Sequence, residues 1–213
     1  MTDLRLRTER LVLRRFSPAD LPAVTALCGD PEVMRHLDDG RPVPPDRVAT
    51  ELLPGLLREY AELPDGLGRW ALEARATAQA AEPGTGTGTE GRFLGWAALR
   101  PPSSVGLVGP ERRDGDVELG YRLLPAARGR GYATEAAAAL VRAAFAELGA
   151  ERVVATTMTV NTASRRVLER VGLRHVRTFH VDWPDPIPGS EHGDVVHALT
   201  RAEWAAGRAG AVR

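Results

Sequence analysis

The sequence contains no lysine, so all 28 of its basic residues are arginine. This absence excludes a Schiff-base lysine, a lysine general base and the lysine of a P-loop nucleotide site. Any phosphate or other anion that the chain binds by charge must therefore meet arginine. The planar guanidinium group is suited to two-point contacts with such anions.

Cysteine is almost as scarce, since Cys28 is the one cysteine of the chain. A disulfide within the chain and a cysteine zinc site are both excluded. The predicted first helix carries Cys28 without a nearby histidine, which argues against a covalent cysteine intermediate. The five histidines lack the spacing of metal ligands, so we expect no metal site.

Excess charge and long apolar runs are also missing. The 28 acidic residues balance the 28 basic ones, so the chain lacks the global positive field of a non-specific nucleic-acid-binding protein. It has no apolar run of 18 residues and no segment with the apolar core of a signal peptide. We therefore expect a cytoplasmic protein without a membrane or nucleic-acid partner.

Apolar periodicity and turn residues predict seven strands with helices between them. Their order, β-α-α-β-β-β-α-β-α-β-β, favours a mixed sheet with helices on its faces over a regular alternation of strands and helices. A length of 213 residues fits a single domain. The predicted strands lie at 11–16, 70–74, 93–99, 116–124, 152–160, 173–183 and 194–200, and the main predicted helices at 17–28, 45–63, 133–148 and 161–171.

A glycine-containing turn, Arg-Gly-Arg-Gly-Tyr-Ala at 128–133, connects the predicted strand 116–124 to the predicted helix 133–148. Such a turn directs several backbone N–H groups to one point, and the helix N-terminus adds partial positive charge there. The turn therefore predicts a binding site for a phosphate or pyrophosphate, with a plain strand–helix connection as the alternative. Its place after the fourth strand disfavours a dinucleotide-binding fold, whose glycine turn follows the first strand.

Residues 128–133 fit the signature [Gln/Arg]-x-x-Gly-x-[Gly/Ala] and resemble the acetyl-CoA-binding turn of the GNAT superfamily of N-acetyltransferases. Asn-Thr-Ala-Ser at 161–164 and Val-Gly-Leu at 171–173 are similar to the second half of GNAT domains. The two ends of the chain, 6–14 and 194–204, resemble the RimJ/RimL-type branch of that superfamily.

The resemblance implies an α/β (α+β) fold with a mixed, mostly antiparallel central sheet of about seven strands flanked by helices. It covers nearly the whole chain as one GNAT-like domain, 1–213. The exceptions are 77–91 and 101–115, which look like loop insertions.

The resemblance also implies an enzyme, an acyltransferase that moves an acetyl group from acetyl-CoA to a primary amine. The amine is either the α-amine of a protein N-terminus or that of a small molecule. Both substrates bind together, the amine attacks the thioester directly and no covalent enzyme intermediate forms. A homodimer is common in related proteins. A non-catalytic acyl-CoA-binding or regulatory protein on the same fold is the alternative.

By the same resemblance, three segments hold acetyl-CoA. The N–H groups of the glycine turn bind the pyrophosphate, and its arginines add charge-assisted contacts. The backbone at the end of strand 116–124 pairs with the pantetheine arm, which helix 161–171 approaches from the other side. The residues implied are Leu123, Leu124, Arg128, Gly129, Arg130, Gly131, Tyr132, Ala133, Thr134, Asn161 and Ser164.

Two residues are candidates for catalysis. Glu118 stands where some GNAT members carry a glutamate base, and its structural alternative is an ion pair, for example with Arg122. Leu168 occupies the position of the tyrosine with which many members protonate the CoA thiolate. Ser164 is then the candidate hydrogen-bond donor to the thiolate, with water as the alternative.

Two further segments are candidates for the acceptor side of the site. His180, Asp182 and Trp183 lie where the RimJ/RimL-type branch shapes its acceptor pocket. Asp38 and Asp39 precede the predicted helix 45–63, and their negative charges suit a cationic amine, with a solvated loop as the alternative.

Overall fold

The computed structural model describes residues 6–75, 91–103, 112–182 and 184–210. Most of the two segments interpreted as loop insertions, and also Trp183, lie outside the described residues. Within the described ranges the chain forms one open sheet with helices on both faces.

The sheet has eight strands in the order β1-β2-β3-β4-β5-β6-β8-β7. All neighbouring pairs are antiparallel except β5–β6, which is parallel. The predicted fold class is thus confirmed, with a two-residue first strand added to the seven predicted. The strands are β1 Leu6–Arg7, β2 Leu11–Arg14, β3 Gly68–Ala74, β4 Phe93–Arg100, β5 Asp116–Leu123, β6 Arg152–Met158, β7 Arg174–Phe179 and β8 Asp194–Thr200.

Seven α-helical segments accompany the sheet in the described part of the chain. The helix predicted at 45–63 is continuous but contains a π-helical stretch, Val48–Leu52. Pro54 has no N–H to donate to the carbonyl four residues earlier, and the wider turn absorbs that interruption. None of the described helices has the length and apolarity needed to cross a bilayer. The segments are α1 Leu21–Cys28, α2 Pro31–Met34, α3 Pro45–Arg47, α4 Leu53–Glu62, α5 Tyr132–Ala146, α6 Thr162–Arg170 and α7 Arg201–Gly210.

Helix α5 covers one face of the sheet, where it packs against β2, β4, β5 and β6. Its buried stripe is rich in alanine, and the small side chains allow the helix axis to approach the strands closely. The opposite face is covered by α1 and the α3–α4 helix, with Val24, Leu27 and Leu56 in its core. The buried residues of α5 include Ala136, Ala137, Leu140, Ala143, Ala144 and Phe145.

The parallel pair β5–β6 is short and separates towards one end. The two strands are in register at three positions, from Asp116 opposite Arg152 to Glu118 opposite Val154. Asp116 and Arg152 form a buried ion pair at the closed end, with an N–O distance of 2.6 Å. Beyond Glu118, β5 continues beside β4 alone and β6 beside β8 alone. The separation therefore leaves a gap in the middle of the sheet.

His197 on β8 is a buried titratable group away from this gap. Its side chain is 0% exposed, and neither ring nitrogen has a hydrogen-bond partner among the described residues. Burial lowers the pKa of His197, as do the nearby His175 and Arg165, whereas Glu169 acts in the opposite direction. The imidazole is therefore neutral in the folded protein at neutral pH.

Because the folded state disfavours protonated His197, the free energy of unfolding should decrease as pH falls below about 6.5, the pKa of a histidine in an unfolded chain. We expect His197→Leu to reduce this acid-induced loss, measured by urea denaturation at neutral and mildly acidic pH. The exposed His192 serves as a control, since His192→Gln should leave the pH dependence unchanged. An unaltered pH dependence in His197→Leu would contradict this assignment.

Candidate functional site

The gap between β5 and β6 opens into a cleft of about 700 Å³. Its walls are the separated parts of the two strands, the start of α6, the turn before α5 and the end of α2 with the loop that follows it. Because the gap passes between strands, the cleft receives side chains from both faces of the sheet. Elongated molecules can therefore lie in it with one end on each side.

The glycine turn borders this cleft. Gly129 and Gly131 have φ angles of +72° and +82°, a region that favours glycine, and α5 begins directly afterwards at Tyr132. No oxygen of the described residues accepts a hydrogen bond from the backbone N–H groups of residues 129–134. A Cβ atom at Gly129 would meet nothing within 4 Å. The turn is thus an open set of donors at a helix N-terminus, as an anion requires.

Three residues assigned to this region by sequence have other contacts. The Arg128 guanidinium lines the cleft but donates to the carbonyl oxygens of Leu123 at 3.3 Å and Glu32 at 3.1 Å. It therefore connects the turn to β5 and α2. Leu124 donates its N–H to the carbonyl of Leu94, and neither Leu124 nor Arg130 is among the residues that line the cleft.

The β1–β2 hairpin supports the glycine turn from behind. Glu135 in the first turn of α5 accepts hydrogen bonds from the Thr8 hydroxyl at 2.5 Å, the Arg10 backbone N–H at 2.8 Å and the Arg10 Nε at 2.7 Å. Arg10 also donates to the Arg130 carbonyl at 2.9 Å. Burial alone would raise the pKa of Glu135, but the hydrogen bonds from Thr8 and Arg10 outweigh it and lower the pKa. The carboxylate is therefore charged when it holds the turn.

Glu118 lies where β5 and β6 begin to separate. It is 6% exposed and lines the cleft, and its Oε2 accepts hydrogen bonds from the Ser103 backbone N–H at 2.9 Å and the Ser103 hydroxyl at 3.2 Å. Arg122, named above as an ion-pair partner, reaches instead towards α1 and α2. Glu118 thus presents a buried carboxylate at the narrow end of the gap.

Tyr121 is a site residue that the sequence reasoning missed. Its hydroxyl is 3.0 Å from both the Oγ and the carbonyl oxygen of Ser164 on α6, and all these groups border the cleft. Burial raises the pKa of Tyr121, opposed more weakly by the Ser164 hydrogen bond. Strand alternation places Tyr121 on the same face of β5 as Leu119 and Leu123. This alternation is the sequence signal from which Tyr121 could have been identified.

The segment that carries Ser164 is oriented by its helix cap. The Asn161 side chain accepts a hydrogen bond from the Ser164 backbone N–H at 3.2 Å, so Asn161 is the N-cap of α6, and it also lines the cleft. Leu168 is 1% exposed and belongs to the core beneath α6, although it also contributes to the cleft wall.

The acceptor candidates are only partly at the cleft. Asp38 borders it, whereas Asp39 accepts a hydrogen bond from the Arg41 backbone N–H in an exposed turn. His180 and Asp182 are exposed and do not line it. Four further side chains that line the cleft were not identified as site residues by the sequence reasoning, namely Arg69, Trp96, Arg100 and Arg122.

A family model described as "Acetyltransferase (GNAT) domain" matches residues 10–174 of this chain. FsC-acetyl coenzyme A-N(2)-transacetylase from Aspergillus fumigatus is 37% identical over 199 residues, which are 93% of this chain and 77% of that protein. A GNAT-family acetyltransferase from Bacillus anthracis has a TM-score of 0.66 at 21% identity and covers 94% of this chain and 100% of its own. The aminoglycoside acetyltransferase AAC(6')-Ib, solved in complex with coenzyme A, has a TM-score of 0.65 at 18% identity, with 93% and 99% covered.

The contacts of Glu135 predict a role in coenzyme A binding that is separate from stability. We expect Glu135→Gln to raise the Kd for coenzyme A several-fold, because the amide holds the Arg10 hairpin and the turn less firmly. Isothermal titration calorimetry, carried out below the thermal unfolding transition, measures this Kd. The control is Glu147→Gln, which changes an exposed residue near the end of α5. A lower Tm with an unchanged Kd would show that Glu135 serves stability alone.

Proposed function

The chain belongs to the acetyltransferase (GNAT) family and is an N-acetyltransferase that uses acetyl-CoA, and we propose that it acetylates a primary amine by direct attack within a complex of both substrates. The gap between β5 and β6 carries this proposal, because the open N–H groups of the glycine turn and the buried Glu118 carboxylate border one cleft. We propose that the chain acts as one catalytic domain over 1–213, since its single sheet runs from Leu6 to Thr200.

We assign the chain to the RimJ/RimL-type branch on the residues at its two ends. The first of them, Thr8 and Arg10, hold the glycine turn through Glu135, which gives the similarity a structural reason. The name of the Aspergillus fumigatus relative specifies transfer to a nitrogen, N(2), and this supports a nitrogen as the acceptor atom here. The acceptor is thus a protein N-terminus or a small-molecule amine.

The donor site fits acetyl-CoA through the groups described above. The unpaired N–H groups of residues 129–134 bind the pyrophosphate, and the partial positive charge of the α5 N-terminus adds to the attraction. The edge of β5 that faces the gap, up to Leu123, offers its backbone to the pantetheine arm. Asn161 and Ser164 border the opposite side of the gap. Acetyl-CoA supplies the acetyl group as a thioester, and the chain positions it.

Glu118 is assigned the role of base, acting on the amine directly or through one water. An α-amine has a pKa of about 8 and a lysine side chain one of about 10.4. The α-amine loses its proton more easily because its pKa is lower, so a carboxylate is a sufficient base for it. Glu118 takes one proton from this amine. The two hydrogen bonds from Ser103 fix the orientation of the carboxylate at the narrow end of the gap.

Tyr121 and Ser164 are assigned the stabilisation of the CoA sulfur as it leaves. As the bond between the acetyl carbon and the sulfur breaks, the Tyr121 hydroxyl, which Ser164 orients, donates a hydrogen bond to the sulfur. The raised pKa of Tyr121 keeps this hydroxyl protonated, so it acts as a hydrogen-bond donor, and the proton that the sulfur gains comes from water. Tyr121 and Ser164 thus take over the role of the tyrosine that many GNAT members carry at the position of Leu168.

The function as a whole is tested by thiol release from acetyl-CoA in the presence of a panel of amines and peptides. We expect coenzyme A release with at least one class of amine, and mass spectrometry should show the acetylated product. The absence of release with every amine and peptide would overturn the proposal.

Glu118→Gln should lower kcat by about 10²- to 10⁴-fold at neutral pH, because it removes the proton acceptor. The Kd for coenzyme A should stay unchanged, and the activity lost should partly return as rising pH deprotonates the amine in solution. Ser103→Ala is the matched control, since it keeps the carboxylate and removes the hydrogen bond from the Ser103 hydroxyl. Nearly full activity of Glu118→Gln at neutral pH would exclude Glu118 as the base.

Tyr121→Phe should lower kcat about 100-fold with little change in the Kd for coenzyme A. Ser164→Ala should have a smaller effect, because the Tyr121 hydroxyl keeps its hydrogen bond to the Ser164 carbonyl. The double variant should be no worse than Tyr121→Phe, since the two groups act as one unit. Steady-state kinetics of the three variants give the kcat values for this comparison. If the loss of kcat in the double variant equals the product of the two single losses, the two residues have separate roles.

A further inference from the structure

The face of the sheet that carries Glu118 is rich in guanidinium groups. Arg69 on β3, Arg100 on β4 and Arg122 on β5 all line the cleft. In the strand register Arg100 is opposite Glu118, and Arg122 is opposite Trp96. This side of the gap is where an acceptor amine approaches Glu118, so the acceptor meets these cations.

Arg122 is nearly buried and poorly paired. Its side chain is 12% exposed, and its two recorded hydrogen bonds go to sulfur atoms, Cys28 Sγ at 3.5 Å and Met34 Sδ at 3.3 Å. The nearest carboxylate, that of the exposed Asp38, is 3.6 Å away. Sulfur is a weak acceptor. The guanidinium of Arg122 therefore donates no hydrogen bond to an oxygen of the described residues.

Arg69 and Arg100 share one carboxylate. Arg69 pairs with Glu59, and the same Glu59 oxygen is 4.0 Å from Arg100. The Arg100 guanidinium makes no hydrogen bond with the described residues, and its Nε is buried without a partner among them. Burial lowers the pKa of Arg69, as do the charges of Arg100 and Arg122, which Glu59 offsets in part. The three cations thus repel one another across this wall.

Trp96 and Gly120 give this wall its shape. The Trp96 ring has the Arg69 guanidinium 5.4 Å and the Arg122 guanidinium 5.2 Å from its centre, which holds both in place. Gly120 lies midway between Glu118 and Arg122 on β5, and a Cβ atom there would contact the Trp96 ring at 3.7 Å. The Trp96 ring therefore lies close to Gly120, on the strand between Glu118 and Arg122, which are about 13 Å apart along β5.

We propose that the acceptor amine also carries an anionic group of the carboxylate class, which binds between Arg122 and Arg100 while the amine approaches Glu118. The inference rests on the proposed function and names the substrate class of that site. A bound carboxylate supplies the oxygen acceptors that Arg122 and Arg100 lack and reduces the repulsion among the three cations. Charge-assisted pairs of this kind are the strong ones in a partly buried site. The arginines therefore outweigh Asp38 and Asp39, whose negative charges suit the cationic amine alone.

The test uses amines in matched pairs, each linear amino acid or dipeptide with its own carboxamide, over a range of chain lengths. Thiol release gives kcat/KM for both members of a pair. For the pairs that react best, we expect the carboxylate to exceed the amide by about tenfold or more. If no reacting pair favours the carboxylate, the inference is wrong even though the enzyme acetylates amines.

Variants identify the side chains. Arg122→Gln should lower kcat/KM for the carboxylate by about 10- to 100-fold and leave the amide nearly unchanged, because only the carboxylate uses the charge. Arg100→Gln should also lower kcat/KM for the carboxylate, but by a smaller factor. Arg122→Lys, which keeps a positive charge, should retain part of the activity that Arg122→Gln loses. Arg142→Gln, on the exposed side of α5, is the control. Equal losses for both members of a pair would assign Arg122 to stability and overturn the inference.

A binding measurement separates this inference from the proposed function. Calorimetry with the coenzyme A-bound protein compares each N-acetylated amino acid with its carboxamide, and it needs no turnover. Tighter binding of the carboxylate that Arg122→Gln abolishes supports the anion site even if no amine reacts. Equal binding of the two would overturn it. Thiol release that is absent with every amine would contradict the proposed function alone.

Discussion

The site depends on a parallel ladder of three residue pairs, locked at one end by the ion pair of Asp116 with Arg152. Each strand of the pair keeps a second neighbour along its length, β4 for β5 and β8 for β6, so the sheet survives their separation. Beyond Glu118 the facing backbone edges have no strand between them. Unpaired backbone groups inside a protein are costly unless a ligand or water satisfies them. The gap is thus a candidate binding site made by the topology, and Glu118 marks its beginning.

The donor side depends on contacts between parts of the chain that are distant in sequence. Thr8 and Arg10 hold Glu135, and Arg10 also holds the Arg130 carbonyl, across more than a hundred positions. A glycine turn with positive φ angles has little intrinsic rigidity, because glycine populates many conformations. The hairpin supplies that rigidity from the side away from the cleft. Thr8 and Arg10 in the N-terminal hairpin therefore fix the shape of a turn that is distant in sequence.

Arginine supplies every permanent positive charge of the site. Seven arginines and three acidic residues line the cleft, which gives it a positive field although the whole chain is neutral. Part of this charge faces the donor, as with Arg128 beside the glycine turn. The rest, at Arg69, Arg100 and Arg122, faces the acceptor. Such focused charge in a partly buried cleft selects ligands by sign, so the acceptor side selects for anions.

The sequence by itself determined the family, the fold class and the glycine turn between strand and helix at 128–133, because glycine placement, strand alternation and helix caps are local signals read from neighbouring residues. Helix and strand ends differed by a few positions, since fraying and packing set them. Only the tertiary structure decided that Tyr121 meets Ser164, that Arg128 binds protein carbonyls, and that Arg69, Arg100 and Arg122 share one wall. Those residues lie on separate strands and helices, and their proximity follows from strand register and from the gap between β5 and β6, which no local pattern encodes.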